Sequence, residues 1–240
     1  MDSLAKGWTA PGEHFWGFIG NNENEIKRCQ TQGIPWYFWD MPYYGRWSGL
    51  AQSLTPTADF YWRAGCNHVH YNRRRDYPSD RFDKWQVDIG PTRLGSKILV
   101  CPSSETMTRW TTGKDVETWI HDTTTTLRRY TDRPIDIRYK PRRNGTSGPD
   151  AALVDFKVQA ADAWCVVTCI SLCAVEAQLM GIPTICDPTS FAADISSTSL
   201  QDIEKPKRVD THQWFCNLAY SQFTHAEIEN GLAQEILSDT

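Results

Sequence analysis

The sequence predicts an α/β fold in two lobes, and three observations carry that expectation. From Lys97 onward, apolar runs of strand length alternate with helical patterns. A Gly- and Pro-rich interruption, Ile89 to Gly95, precedes that alternation. The first 94 residues differ in kind, being rich in Trp, Tyr, Asn, Gly and Arg with weak periodicity. The expected division is a small irregular lobe at 1–95, an α/β lobe at 96–224 and a helix at 225–240 that crosses back to the first lobe.

The elements follow in order. Trp36 to Trp39 and His68 to Tyr71 read as short strands broken by turn residues. Ile98 to Cys101 is a buried strand ending at Pro102, Ser103 and Ser104. A helix follows with Val116, Trp119, Ile120 and Leu127 on one face, opened by a Thr112/Asp115 capping box. Ile135 to Tyr139 is a strand, 143–149 a Gly-rich loop, and Asp150 to Gln159 a short helix. Cys165 to Thr168 is a strand, Ser171 to Met180 a helix stopped by Gly181, Ile182 and Pro183, and Thr184 to Cys186 another strand. Strands alternating with helices through short connections imply a parallel sheet covered on both faces. Two helices end the pattern, Thr211 to Tyr220 and Thr224 to Leu237, the second with a Thr224/Glu227 capping box.

Composition narrows the partners. At 240 residues with 40% hydrophobic and 22% charged, the chain is of ordinary globular type. A formal charge of -4 supplies no global field for nucleic acid, so such a partner needs a local basic patch. Met1 to Gly12 lacks the apolar core of a signal peptide and no run approaches the roughly 20 apolar residues that span a bilayer, so a cytoplasmic protein without a membrane partner is expected. The eight cysteines form no CxxC pair and read as reduced core thiols. Cys165, Cys169 and Cys173 recur every four residues, but a strand end near Thr168 breaks the helical spacing, and no metal site is expected.

The chemistry concentrates between Asp162 and Asp187, where Glu176 is the sole charged residue. A carboxylate buried without a partner costs several kcal/mol, and a ribose diol would satisfy it at the carboxyl end of the strands. Ser171 and the amides opening its helix face the same crevice and suit a diphosphate. The alternative places Glu176 in water and leaves Ser171 as an N-cap only. Arg138 and Lys140 alternate onto one side of an extended chain and would neutralise a leaving diphosphate without a metal; a solvated strand end is the competing reading. Ser103 and Ser104 offer hydroxyls to the same phosphates, or form a simple turn.

The string Asp162, Thr168, Ser171, Glu176, Ala177, Gly181, Ile182, Pro183, with Ile137 to Pro141, resembles the donor-binding signature of GT-B glycosyltransferases. That resemblance implies two Rossmann-like lobes with a cleft between them, Glu176 on the ribose of a nucleotide sugar, and Ser171, Arg138 and Lys140 on its phosphates. A UDP-sugar is the implied donor, with no further cofactor, and transfer of a hexose the implied reaction. The first lobe is then expected to bind the acceptor and supply a base. Asp40 is the first choice, because aromatic surroundings would raise its pKa, with a turn-forming Asp before Met41 and Pro42 as the alternative; His14 is the second. The aromatic first half also resembles that of bacteriophage enzymes glucosylating hydroxymethylated pyrimidines, which implies double-stranded DNA as partner. Arg73, Arg74, Arg75, Arg142 and Arg143, with Arg63, Arg81 and Lys205 to Arg208, would meet phosphates, and Trp36 to Trp39, Trp39 above all, would stack on a flipped base. Solvated faces are the alternative for each basic cluster. The rival functions are transfer to a glycan or small molecule, and non-catalytic nucleotide or DNA binding.

Overall fold

Trp36, Tyr37, Phe38 and Trp39 are large and apolar without alternation, the pattern of a strand covered on both faces. In the computed structural model, which describes residues 8–44, 61–70, 75–139 and 155–238, they are the centre of a sheet and at most 5% exposed. The chain divides into two units, Met1–Gln86 with His212–Thr240, and Val87–Thr211.

The first unit contains β1 (Glu13–Trp16), α1 (Asn22–Gln32), β2 (Trp36–Asp40), β3 (Tyr61–Cys66) and α2 (Asp80–Asp83). It is completed by α7 (His212–Ala219), β8 (Gln222–Thr224), α8 (His225–Glu229) and α9 (Leu232–Ser238). Sheet order is β1-β2-β3-β8, with β1 and β2 parallel and the other pairs antiparallel. This mixed sheet corrects the expectation of a second Rossmann-like lobe: among the described residues of this unit, only β1 and β2 are joined as parallel strands around a helix. Residues 212–224, expected with the other lobe, belong here because β8 pairs with β3. Arg81 forks onto Glu227 at 2.8 and 3.0 Å and donates to Gln222 O, tying α2 to the returning chain. Tyr37, Trp39, Ala64, Phe223, Ile228, Ala233 and Leu237 form the core beneath.

Two local readings change. Residues 67–70 turn back instead of forming a strand, and Tyr71 lies outside the described residues. Gly65 permits the turn: a Cβ there would lie 2.0 Å from His68 O. Asn67, at φ 53°, fixes it by accepting the Trp36 N–H at 3.0 Å. The helix expected from Thr224 is two, interrupted at Gly231 with φ 88°, though Thr224 and Glu227 do form the capping box.

The second unit contains β4 (Lys97–Cys101), α3 (Glu105–Thr112), α4 (Val116–Leu127), β5 (Ile135–Ile137), α5 (Phe156–Gln159), β6 (Ala163–Thr168), α6 (Cys173–Leu179) and β7 (Thr184–Ile185), then short 3-10 turns at Ala193–Ile195 and Leu200–Glu204. All pairings are parallel and the order is β5-β4-β6-β7. Leu99, Cys101 and Val166 face one layer with Phe156, Ala177 and Met180, while Ile98, Val100, Cys165 and Val167 face the other with Leu127 and Ile203. Period-2 alternation thus buries both faces and explains the unbroken apolar runs.

The expected Thr112/Asp115 capping box is two helix ends. Gly113, at φ 73°, closes α3, and Asp115 itself caps α4 by accepting the Thr118 N–H at 2.7 Å. Residues 87–95 belong to this unit and not to the first lobe. Gly90 N–H reaches Leu179 O at 2.7 Å and Arg93 N–H reaches Gly181 O at 3.0 Å. Gly181, at φ 71°, is required there, since a Cβ would lie 2.0 Å from Pro91 O.

Candidate functional site

A parallel sheet binds ligands outside the carboxyl ends of its strands, where successive connections depart to opposite sides. With order β5-β4-β6-β7, that switch lies between β4 and β6. The chain leaving β4 carries Ser103 and Ser104, and the chain leaving β6 carries Ser171. Hydroxyls stitch the two together. Ser103 Oγ accepts the Ile170 N–H at 3.1 Å. Thr168 Oγ1 donates to Cys101 O at 2.7 Å and accepts the Ser171 N–H at 3.2 Å. Ser104 caps α3 through the Met107 N–H, and Ser171 Oγ accepts the Cys173 N–H at 3.3 Å. Ser103 is buried and braces the loop, whereas Ser171 is part-buried.

The charged candidates come to the same corner. Arg138 follows β5, with its N–H on Val100 O at 2.8 Å. Its guanidinium donates to Gln159 and lies 5.6 Å from the Phe156 ring centre. Glu176 is exposed on the first turn of α6. Arg138 and Glu176 thus lie on the chain segments that leave β5 and β6 at the carboxyl edge of the sheet. Lys140, Arg142 and Arg143 lie outside the described residues.

The first-unit candidates are arranged differently from expectation. Asp40 ends β2 and its Oδ2 contacts Arg63 Nη2 at 2.5 Å, while Oδ1 accepts the Met41 N–H at 2.7 Å. The carboxylate therefore meets a guanidinium and not the apolar surroundings expected of it. Arg63 is itself buried and donates to His70 Nδ1 at 2.6 Å. His14 Nδ1 accepts the Trp39 indole N–H at 3.1 Å. An indole only donates, so that nitrogen is unprotonated and the ring proton sits on Nε2. Burial also lowers the His14 pKa. A neutral ring with its lone pair engaged does not suit a general base. Trp39 is 1% exposed and its neighbours in β2 are equally enclosed, which removes the stacking surface expected for a flipped base. Arg63 and Arg81 are buried and paired with Asp40 and Glu227, which leaves neither guanidinium open to phosphate. Arg75 is exposed, 5.5 Å from the Tyr77 ring centre; Arg73 and Arg74 lie outside the described residues. Lys207 donates to Asp194 O, and Arg208 lies 5.3 Å from the Trp164 ring centre.

No family model matches the chain, and no curated protein does. Among solved structures, KpsC beta Kdo 2,4 transferase from Thermosulfurimonas dismutans is similar over 93% of this chain and 86% of its own, with a TM-score of 0.51 at 12% identity. KpsC beta Kdo 2,7 transferase from the same organism is aligned over 93% of this chain and 99% of its own, with a TM-score of 0.48 at 14% identity. The fold is similar to that of the first of these two transferases. At such identity the likeness concerns the fold, and chemistry must come from the site.

Three site features escape a reading of the sequence alone. Gln159 holds the Arg138 guanidinium. Asp187 leaves β7 at the same edge: its N–H donates to Cys169 O at 3.0 Å, and its Oδ1 accepts from Thr189 N and Oγ1 at 2.9 and 2.7 Å. Cys101 ends β4 at this edge, and Cys173 opens α6 against the same apolar layer. Only the position of Asp187 after an apolar strand signalled any of them. A cavity of about 110 Å³ beside Gly90, Gln178, Gly181, Lys207 and Asp210 lies near the amino end of β7, away from this edge. Among the described residues no three His, Cys, Asp or Glu side chains group as metal ligands, and no helix is long and apolar enough to cross a membrane.

Proposed function

We propose that the chain is a glycosyltransferase that holds a nucleotide sugar at the carboxyl edge of the β5-β4-β6-β7 sheet and transfers its sugar to a hydroxyl of a glycan or small molecule. The observation that carries this reading is that Arg138, Ser171 and Glu176 all lie on segments leaving the carboxyl ends of β5 and β6, beside the switch between β4 and β6. Glu176 accepts from the ribose hydroxyls. Arg138, with Lys140, neutralises the diphosphate as the bond from the anomeric carbon to the leaving oxygen breaks. Asp40 remains the proposed base for the acceptor hydroxyl, now as a carboxylate oriented by Arg63.

The acceptor preference rests on burial and charge. A DNA hydroxymethylpyrimidine would need an aromatic platform and phosphate contacts, yet Trp36 to Trp39 are enclosed, Arg63 and Arg81 are paired inside, and the formal charge is -4. A UDP-hexose is the first donor to try. Because the similar structure is named a Kdo transferase, activated Kdo belongs in the same panel.

The test is binding and transfer across labelled nucleotide sugars, with glycans and with plain and hydroxymethylated DNA as acceptors. Glu176→Ala should weaken donor binding about 10- to 100-fold, the loss of a charged hydrogen bond. Asp40→Asn should slow transfer and leave donor affinity unchanged. Equal nucleotide affinity in wild type and Glu176→Ala would remove the donor assignment, and transfer to hydroxymethylated DNA alone would overturn the acceptor preference.

A further inference from the structure

We propose that Cys101 and Cys173 form an oxidisable dithiol at the carboxyl edge of the parallel sheet, a site of reversible disulfide formation by peroxides. The backbone brings them together. Cys101 ends β4 opposite Thr168, which ends β6. Thr168 Oγ1 donates to Cys101 O, Ser171 N–H donates to Thr168 Oγ1, and Cys173 N–H donates to Ser171 Oγ, at 2.7, 3.2 and 3.3 Å. Three linked hydrogen bonds thus anchor the first residue of α6 to the last of β4. Cys173 packs on the layer that contains Cys101.

Their environments assign different roles. The neighbouring Cys101 thiol pulls the Cys173 thiol down, helped by Ser171 and the Arg138 charge, whereas burial pushes Cys101 well up. Cys173 is also part-buried, as is Cys66 in the other unit, while the remaining six cysteines are buried. A partly accessible thiolate beside a cation is the attacking group, and a buried neighbouring thiol resolves it. The Cys173 thiolate attacks one oxygen of hydrogen peroxide; the O–O bond breaks, hydroxide leaves and a sulfenic acid remains. Cys101 sulfur then attacks the sulfenic sulfur, the S–S bond forms, and the sulfenic oxygen leaves as water with the Cys101 proton. Two thiols are oxidised as one peroxide is reduced to water.

The experiment treats the folded full-length chain with one equivalent of hydrogen peroxide, blocks free thiols and maps peptides by mass spectrometry without reduction. The expected product is a Cys101 to Cys173 cross-link, two hydrogens lighter than the separate peptides and reversed by dithiothreitol. Trapping with dimedone should mark Cys173 at least about tenfold faster than Cys66. Cys173→Ser should abolish the cross-link with the melting temperature retained, and Cys101→Ala should abolish it too, with Cys173 oxidised more slowly and any sulfenic acid formed there persisting for dimedone to trap. Equal labelling of Cys173 and Cys66, a cross-link to another cysteine, or no cross-link in the wild type would each overturn the proposal. No nucleotide enters the experiment, so its outcome is independent of the proposed transferase activity.

Discussion

His70 cannot take up a proton at Nδ1 without giving up Arg63. That nitrogen accepts from the guanidinium at 2.6 Å, and burial, with the Arg63 charge and His68 adding to it, holds its pKa well below 6.5. Burial lowers His14 and His68 as well. A histidine whose folded pKa lies below its unfolded value binds fewer protons when folded, so the stability it contributes is present above about pH 6.5 and lost as pH falls. For His70 the slope should approach about 1.4 kcal/mol per pH unit below that value. Urea midpoints at pH 7.5 and 5.5 check this: a clear fall is expected at the lower pH, steeper in wild type than in His70→Gln. A flat profile would mean that the Arg63–His70 contact does not hold in solution. Asp40 meets the same guanidinium through its other nitrogen, and no feature of its flanking residues signals an arginine arriving from β3, 23 positions on.

At the scale of elements, the parallel strands were legible because each is buried on both faces, which makes Ile98 to Cys101 and Cys165 to Thr168 apolar throughout. The ends of β4 and β6 could be located for the same reason, and with them Ser103, Ser104 and Ser171. α1 escaped because only Ile26 and Cys29 of its residues are buried, too thin a stripe to read against Asn, Glu and Lys. α3 was hidden by its polar, Thr-rich face, so Gly113 was passed over as a boundary. Pairings distant in sequence, such as β3 with β8, leave no local trace. Thr168 gives the element-scale prediction. Its hydroxyl serves Cys101 O and Ser171 N–H at once, so Thr168→Val leaves a buried carbonyl and an amide short of partners. The expected cost is about 1–3 kcal/mol in a chemical melt, with donor affinity lowered as the Ser171 loop loosens, whereas Thr112→Val on the end of α3 should change neither appreciably. Equal effects of the two substitutions would deny Thr168 its bridging role.

In chain order, a contiguous unit, Val87–Thr211, interrupts a discontinuous one, Met1–Gln86 with His212–Thr240. Val87–Thr211 holds its own parallel sheet with both faces covered, so that fragment should fold alone and unfold cooperatively in urea. Met1–Gln86 should not, because β8, α8 and α9 supply a sheet partner and much of its core. Adding His212–Thr240 in trans should restore a cooperative transition, and a Met1–Gln86 fragment that melts cooperatively unaided would contradict this division. On the ribosome this arrangement imposes an order. The edge of β3 emerges early and stays open while all of the second unit is translated, and only then does β8 arrive to cover it. During that interval an aromatic strand edge is exposed to other nascent chains, so yield should respond to translation rate and to chaperone supply more than to the stability of the finished fold.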